Sequence, residues 1–217
     1  MRKMIGLIIA LAVILIGGTL LGAYYYDQLQ NYITTDDAKV QGNLMTIGSL
    51  ATGKLDSWNV KTGDQVKQGD VLGKVLAASS GAAGQTQTVD ITAPVDGTII
   101  ESSAQVGQIV APGIPLAISA DMTHLYVTAN ILETNIQDVK VGQDVTINID
   151  AISNTTFNGK VERIGLATTS TFSIMPSGND RGKYTKIAQR IPVRISLDGY
   201  QGKQLVPGLN ANIKIKK

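Results

Sequence analysis

The chain has 217 residues, with 19 Lys plus Arg against 17 Asp plus Glu, and this net charge of +2 gives no footprint for nucleic acid. It holds no cysteine, which excludes disulfides, thiolate metal sites, a cysteine nucleophile and a lipidated N-terminal cysteine. Its 23 glycines and 5% aromatic residues favour a turn-rich β protein over a helical bundle.

Arg2 and Lys3 precede an uncharged apolar stretch from Met4 to Ala23. As a helix, roughly 20 residues at about 1.5 Å each span about 30 Å, the thickness of a bilayer core. Tyr24, Tyr25 and Tyr26 follow as an interfacial aromatic belt. A cleaved signal peptide has a shorter apolar region, about 7–15 residues, and a small-x-small cleavage site. Leu21, at −3 from Ala23, spoils that site, so the reading is an uncleaved signal anchor over residues 1–26. The cations lie before the span, and Asp27, Asp36 and Asp37 precede the next one, Lys39. The short tail is therefore expected in the cytosol and the bulk of the chain outside the cell membrane.

Residues 27–42 read as a stalk and a first barrel strand beginning near Ile33. Beyond them, the segments 70–76, 97–102, 125–131, 144–151, 159–165, 191–197 and 210–216 are short, β-branched and bounded by Gly, Pro, Asn or Asp. Only Glu133–Val139 reads as a brief helix or turn. The fold class is mainly β.

The clearest internal pattern is a repeat. Gly53, Gly63 and Gly69 are each followed 44 residues later by a counterpart, Gly97, Gly107 and Gly113. Leu55, Val66 and Leu72 recur in phase as Ile99, Val110 and Leu116. Six glycines at one offset, with apolar positions in register, mark one unit built twice, its glycines at the turns. Two such units pair as interlocked halves of a flattened barrel that bury a shared apolar face. The halves are 43–76 and 91–120; residues 77–90, small and polar, read as a loose linker; residues 121–217 form a second β domain.

The paired stretches at 60–72 and 104–116 resemble the two halves of lipoyl or biotinyl-like domains. Carrier domains of that class need an acceptor lysine in the turn between the halves, and no lysine stands between Lys74 and Asp90. Other users of the unit are the membrane fusion, or periplasmic adaptor, proteins (HlyD-like), and further stretches resemble their EmrA-type drug-efflux subgroup. "TTDDAKV" at 34–40, with Asp36 and Asp37, is similar to the stretch that follows the anchor in that subgroup. Ala129–Ala151 resembles its barrel segment, with Glu133, Gly142, Gln143 and Asp150 at matching places. "FSIMP" ending at Pro176, "QRIPVRI" with Gln189, Arg190 and Pro192, and "LVPGLNANIKI" with Pro207 and Gly208 are similar to later barrel signatures.

The resemblance implies a lipoyl/biotinyl-like β-sandwich (a barrel-sandwich hybrid) beside a β-barrel domain, behind a transmembrane helix. It implies a non-catalytic subunit without cofactor or metal, forming a homo-oligomer. A major-facilitator transporter in the same membrane is the implied partner, and an ABC exporter the alternative. A structural envelope protein without any transporter is the rival from another class. The family's usual long α-helical hairpin between the lipoyl-like halves is replaced by residues 77–90. That length does not cross a periplasm, so an outer-membrane channel is not expected as a partner. The departure fits a bacterium with one membrane, or a short adaptor capping its transporter.

Catalytic constellations are thin. His124 is the single histidine, so no multi-histidine metal site is possible, and a Ser-His-Asp triad has only this residue to use. Asp36 and Asp37 are strand neighbours expected on opposite faces, which suits a turn or an interdomain hydrogen bond better than an acid–base pair. "GNDRG" at 178–182 lacks the following helix and Lys-Ser/Thr of a phosphate loop. Lys214, Lys216 and Lys217 form a small basic tail that faces lipid head groups or solvent. Trp58 and Met45 are read as packing residues of the lipoyl-like unit.

Overall fold

The computed structural model describes residues 13–20, 22–23, 31–78, 86–152, 155–172, 188–200 and 205–217. Fourteen strands run through them: β1 (Tyr32–Gln41), β2 (Leu44–Gly48), β3 (Gly53–Trp58), β4 (Gln65–Val66), β5 (Val71–Ala78), β6 (Thr86–Thr92) and β7 (Gly97–Ser102), then β8 (Ile109–Val110), β9 (Pro115–Ala120), β10 (Tyr126–Leu132), β11 (Asp144–Ile149), β12 (Thr156–Ile164), β13 (Arg190–Ser196) and β14 (Asn210–Lys216). Two 3-10 turns, Glu133–Asp138 and Thr169–Phe172, interrupt them. Residues 13–20 are helical, and among the described residues no helix is long and apolar enough to cross a membrane. The anchor expected over 1–26 lies mostly outside the described residues.

Two compact units emerge. One comprises residues 40–126 together with 201–208, the other residues 1–39, 127–200 and 209–217. The first is a sandwich of two four-stranded sheets, ordered β2-β9-β7-β4 and β6-β5-β3-β8. The 44-residue repeat governs its backbone. β3 and β7, and likewise β4 and β8, begin and end at equivalent positions. Each half lends its shortest strand to the other half's sheet: Gln65 and Val66 pair with Thr98 and Gly97, while Ile109 and Val110 pair with Lys54 and Gly53. The turn bonds repeat as well, with Gly63 N donating to Ile99 O at 2.8 Å and Gly107 N to Leu55 O at 2.7 Å. Trp58 Nε1 donates to Ser102 Oγ at 2.9 Å, joining equivalent positions and so crossing the pseudo-two-fold axis. Ile47, Leu55, Val66, Leu72, Val75, Ile91, Ile99, Val110 and Leu116 fill the space between the sheets.

The glycines divide into two kinds. Gly63, Gly69, Gly107 and Gly113 have φ between 88° and 98°, the left-handed region where a Cβ is costly. Gly53 and Gly97 are not turn residues, contrary to the expectation from the repeat. They open β3 and β7, where neighbouring backbone comes too close for a side chain: a Cβ on Gly53 would lie 2.2 Å from Leu76 O, and one on Gly97 2.9 Å from Ala120 O. The linker is also shorter than 77–90. β5 continues through Ala78, which pairs with Thr86, so only 79–85 lie between the strands. Thr86, Thr88, Val89 and Ile91 are β-branched, and this propensity outweighs the polar composition that marked the segment as loop.

The second unit is a closed six-stranded barrel, ordered β1-β10-β13-β12-β11-β14. Alternation drives it: β14 buries Ala211, Ile213 and Ile215, and β11 buries Val145, Ile147 and Ile149, with polar residues between them facing out. Gly159 occupies an inward position of β12, where a Cβ would stand 1.9 Å from Ser196 O. Closure brings these backbones together, and only glycine fits. The expected domain boundaries shift accordingly. Residues 205–208 group with the sandwich unit although they follow barrel strands in sequence, and Gly208 N donates to Val40 O at 2.8 Å there.

Candidate functional site

Four segments far apart in sequence meet in the barrel around the Thr34–Asp37 stretch. The pairing of β1 with β14 slips between Thr35 and Ala38, which oppose Ile213 and Ala211, so one extra residue bulges out of β1. The bulge breaks strict alternation: Asp36 is exposed, Asp37 is half-buried and Ala38 points inward. Thr35 Oγ1 donates to Asn130 O at 3.2 Å and accepts from Asp37 N at 3.1 Å, which fixes the bulged backbone. Asp37 Oδ1 accepts from Asn130 Nδ2 at 3.1 Å, and its Oδ2 pairs with Arg190 Nη1 at 3.1 Å. Asp37 thus serves neither a turn nor an interdomain bond; all these partners belong to the barrel unit. The two side chains of the ion pair remain 39% and 38% exposed, so the pair is worth at most about 1 kcal/mol. Its contribution is to orient β13 against β1.

The network continues through main-chain bonds. Glu133 N, at the start of the first 3-10 turn, donates to Gln189 O at 3.0 Å. Ser170 Oγ donates to Gln189 Oε1, and Thr169 Oγ1 donates to Arg190 O at 3.4 Å. Gly165 N donates to Pro192 O at 2.8 Å, and a Cβ on Gly165 would press on Pro192 at 2.8 Å. Pro176 and residues 173–182 lie outside the described residues. A cavity of about 110 Å³ beside Thr34, Asp36, Leu132, Asn135 and Arg190 is well below the roughly 300 Å³ of ordinary ligand pockets.

The remaining singled-out positions serve separate turns. Gly142 has φ +92° and donates through its N to Val161 O at 2.8 Å; Gln143 ties the same turn by accepting from Lys140 N and donating to Asp138 O. Asp150 Oδ1 accepts from Asn212 Nδ2 at 2.8 Å. Pro207 packs beside Gly42, and Gly208 has φ +100°, both in the sandwich unit. Sequence reasoning passed over Asn130, Thr35 and Ser170, whose roles depend on pairings no local motif encodes. It also missed the Trp58–Ser102 bond, although the 44-residue offset was a signal for it.

Chemically, these groups hold backbone rather than activate bonds. His124 Nδ1 sits 2.7 Å from Asp121 Oδ2 on the surface. Burial pushes the Asp121 carboxyl up, but hydrogen bonds from Thr123 and His124 outweigh it and hold the group below its ordinary value. The hydrogen bond and charge of Lys160, 2.8 Å away, likewise hold Asp144 low and raise Lys160. Among the described residues no group of three His, Cys, Asp or Glu is placed to hold a metal ion. Every buried side-chain polar atom described has a hydrogen-bond partner. An open cleft of about 480 Å³ lies over the pseudo-axis, between Trp58, Val60 and Lys61 on one side and Ser102, Ala104 and Val106 on the other.

Two family models match the chain: the YhbJ barrel-sandwich hybrid domain over residues 43–121 and the YknX-like β-barrel domain over residues 125–215. A putative efflux system component of Bacillus subtilis, YhbJ, is 43% identical over 217 residues, covering 100% of this chain and 92% of that protein. The probable multidrug resistance protein EmrK of Escherichia coli is 42% identical over 110 residues, which are 50% of this chain and 28% of that protein. The solved membrane fusion protein Spr0693 of Streptococcus pneumoniae superposes with a TM-score of 0.57 at 17% identity, over 86% of this chain and 98% of that one, which bears on fold alone. By these matches the chain belongs to the membrane fusion, or periplasmic adaptor, family, as a non-catalytic efflux component of EmrA-like type that lacks the long α-helical hairpin.

Proposed function

We propose that the protein is the membrane-anchored adaptor of a drug exporter, holding a major-facilitator transporter in the same membrane through its extracytoplasmic β units and working as a homo-oligomer. The observation that carries this reading is the pairing of a barrel-sandwich hybrid and a β-barrel with an uncharged apolar stretch at residues 4–23. That stretch is the length of a bilayer-spanning helix, and the cations before it support an orientation with the modules outside. Energy coupling then resides in the partner, and the adaptor supplies a guided exit path. With only residues 79–85 between β5 and β6, the sandwich carries no arm for an outer-membrane channel, so the exit path ends near the membrane that holds the anchor.

Deletion of the gene tests the reading. Cells without the protein are expected to accumulate a drug that wild-type cells export, with export restored by the full chain and not by a chain lacking residues 1–26. Unchanged accumulation across a panel of drugs counts against an efflux role. Restoration by the anchorless chain counts against the anchor. An ABC exporter as the partner would show as loss of export on depletion of ATP with the proton gradient held.

A further inference from the structure

We propose that the end of the barrel where β1 enters rests on the head-group layer of the membrane, with anionic lipid as its ligand. The proposal depends on the anchored reading above. The relevant strands are adjacent: Tyr32 at the start of β1 pairs with Lys216 near the end of β14, and Lys217 N donates to Asn31 O at 2.9 Å. β11 starts at this same end, since Val145 pairs with Ile215, and the turn 139–143 leads into it. Tyr32, Lys140, Lys214, Lys216 and Lys217 therefore share one rim.

The carboxylates there are mostly taken. Lys217 Nζ is 2.8 Å from Asp138 Oδ2, Lys160 Nζ is 2.8 Å from Asp144 Oδ1, and Arg194 Nε is 2.9 Å from Glu162 Oε2; among the described residues Glu133, at the end of β10, lies toward this end as well. Lys140 and Lys216 have no carboxylate within ion-pair distance among the described residues. Lys214 Nζ lies 4.0 Å from the centre of the Tyr32 ring, a cation–aromatic pairing suited to a boundary between water and lipid. Two apolar side chains toward this end are exposed. Val141 is 64% exposed at the tip of the turn, and Leu166, just past the end of β12, is fully exposed.

The other end of the same strands differs. There Asp150 and Asp198 join Asn148, Asn210 and Asn212, with Lys39 as the lysine among the described residues. Among the described residues, one end of the barrel thus presents lysines, with most of its carboxylates already paired, and exposed apolar tips, and the other presents amides and two acids with one lysine. The charge contrast selects the cationic end for lipid, and the tether keeps that end within reach of it. Residues 24–31 at about 3.3 Å each reach at most about 26 Å, so the start of β1 is held within that distance of the apolar span. Attraction between lysines and an anionic surface acts within about a Debye length, roughly 8 Å at physiological salt, and the tether permits that approach.

The absence of cysteine makes the test direct. Full-length chains carrying Val141→Cys, Gln28→Cys or, at the opposite end of the same barrel, Asn210→Cys are labelled with bimane and reconstituted in nanodiscs of phosphatidylglycerol or phosphatidylcholine containing a head-group nitroxide lipid. In phosphatidylglycerol, the label at position 141 is expected to be quenched at least twofold more than the one at 210. Its quenching falls in phosphatidylcholine, and falls again with Lys140→Glu plus Lys216→Glu. Equal quenching at 141 and 210, with position 28 quenched, overturns the proposal and leaves the anchor standing. No quenching at 28 overturns the anchor, and the proposal with it. Quenching at 141 that is alike in both lipids contradicts recognition by charge. Quenching that disappears once a transporter is co-reconstituted identifies the transporter as the occupant of the rim and also counts against the proposal.

Discussion

The sandwich and the barrel are both built of β-strands, yet they are specified in different ways. In the sandwich, one set of strands and turns occurs twice, and equivalent residues make equivalent bonds: Gly63 to Ile99 and Gly107 to Leu55, Asn59 N to Leu72 O and Ser103 N to Leu116 O. The barrel is held differently. Closure there depends on strands far apart in the chain, on one bulge in β1 and on a polar network running from Thr35 to Arg190. A fold made by repetition carries its information in local turn chemistry; a fold made by closure carries it in long-range register.

The largest effect should come from filling the close backbone approaches, one in each unit. Gly159→Ala forces a Cβ to 1.9 Å from Ser196 O and Gly53→Ala to 2.2 Å from Leu76 O, so backbone must separate in both. Each is expected to cost about 3 kcal/mol or more, read by urea denaturation, and Gly159→Ala to disrupt barrel closure outright. Retention of wild-type stability by either variant would remove the close-approach account of that glycine.

Core truncation comes next and tests the symmetry itself. Leu55 and Ile99 are equivalent and both fully buried. Leu55→Ala and Ile99→Ala should each cost about 2–5 kcal/mol and differ from each other by less than about 1 kcal/mol. A large difference would mean that the halves share a backbone path but not an energetic role.

Smaller still are the turn glycines. Gly63 and Gly107 have φ of 98° and 94°, and a Cβ on either meets nothing closer than 3.9 Å. Gly63→Ala and Gly107→Ala should each cost about 1 kcal/mol through backbone strain alone, equally in the two halves. A thermal melt that shifts for one and not the other would break the equivalence of the turns.

This division also explains what the sequence made legible. Glycines at a fixed offset, with Leu55/Ile99 and Val66/Val110 in phase, exposed the interlocked halves, because φ > 0 turns and inward apolar positions are local properties. β7 and β14 were readable to the residue from their β-branched alternation. Gly53 and Gly97 looked like turns because glycine alone does not distinguish a left-handed φ from a close backbone approach. Residues 86–90 passed for loop because Thr and Gln are polar, although the strand they form lies at a sheet edge where polar side chains face water. The Asp36–Asp37 pair stood out, but its geometry did not. Strict alternation assigns the two side chains to opposite faces, whereas the bulge turns Asp37 toward Asn130 and Arg190, 93 and 153 residues away in sequence. Pairings of that range become visible only once the barrel is closed.

The account as a whole depends on the protein holding a transporter. Its most direct test is gentle detergent extraction of the tagged full-length chain from the membranes of its own cells, followed by affinity purification and mass spectrometry. A polytopic major-facilitator transporter should co-elute in a fixed ratio and be lost when residues 1–26 are removed. Recovery of the adaptor without any transporter, from membranes shown to contain one, would contradict the central claim.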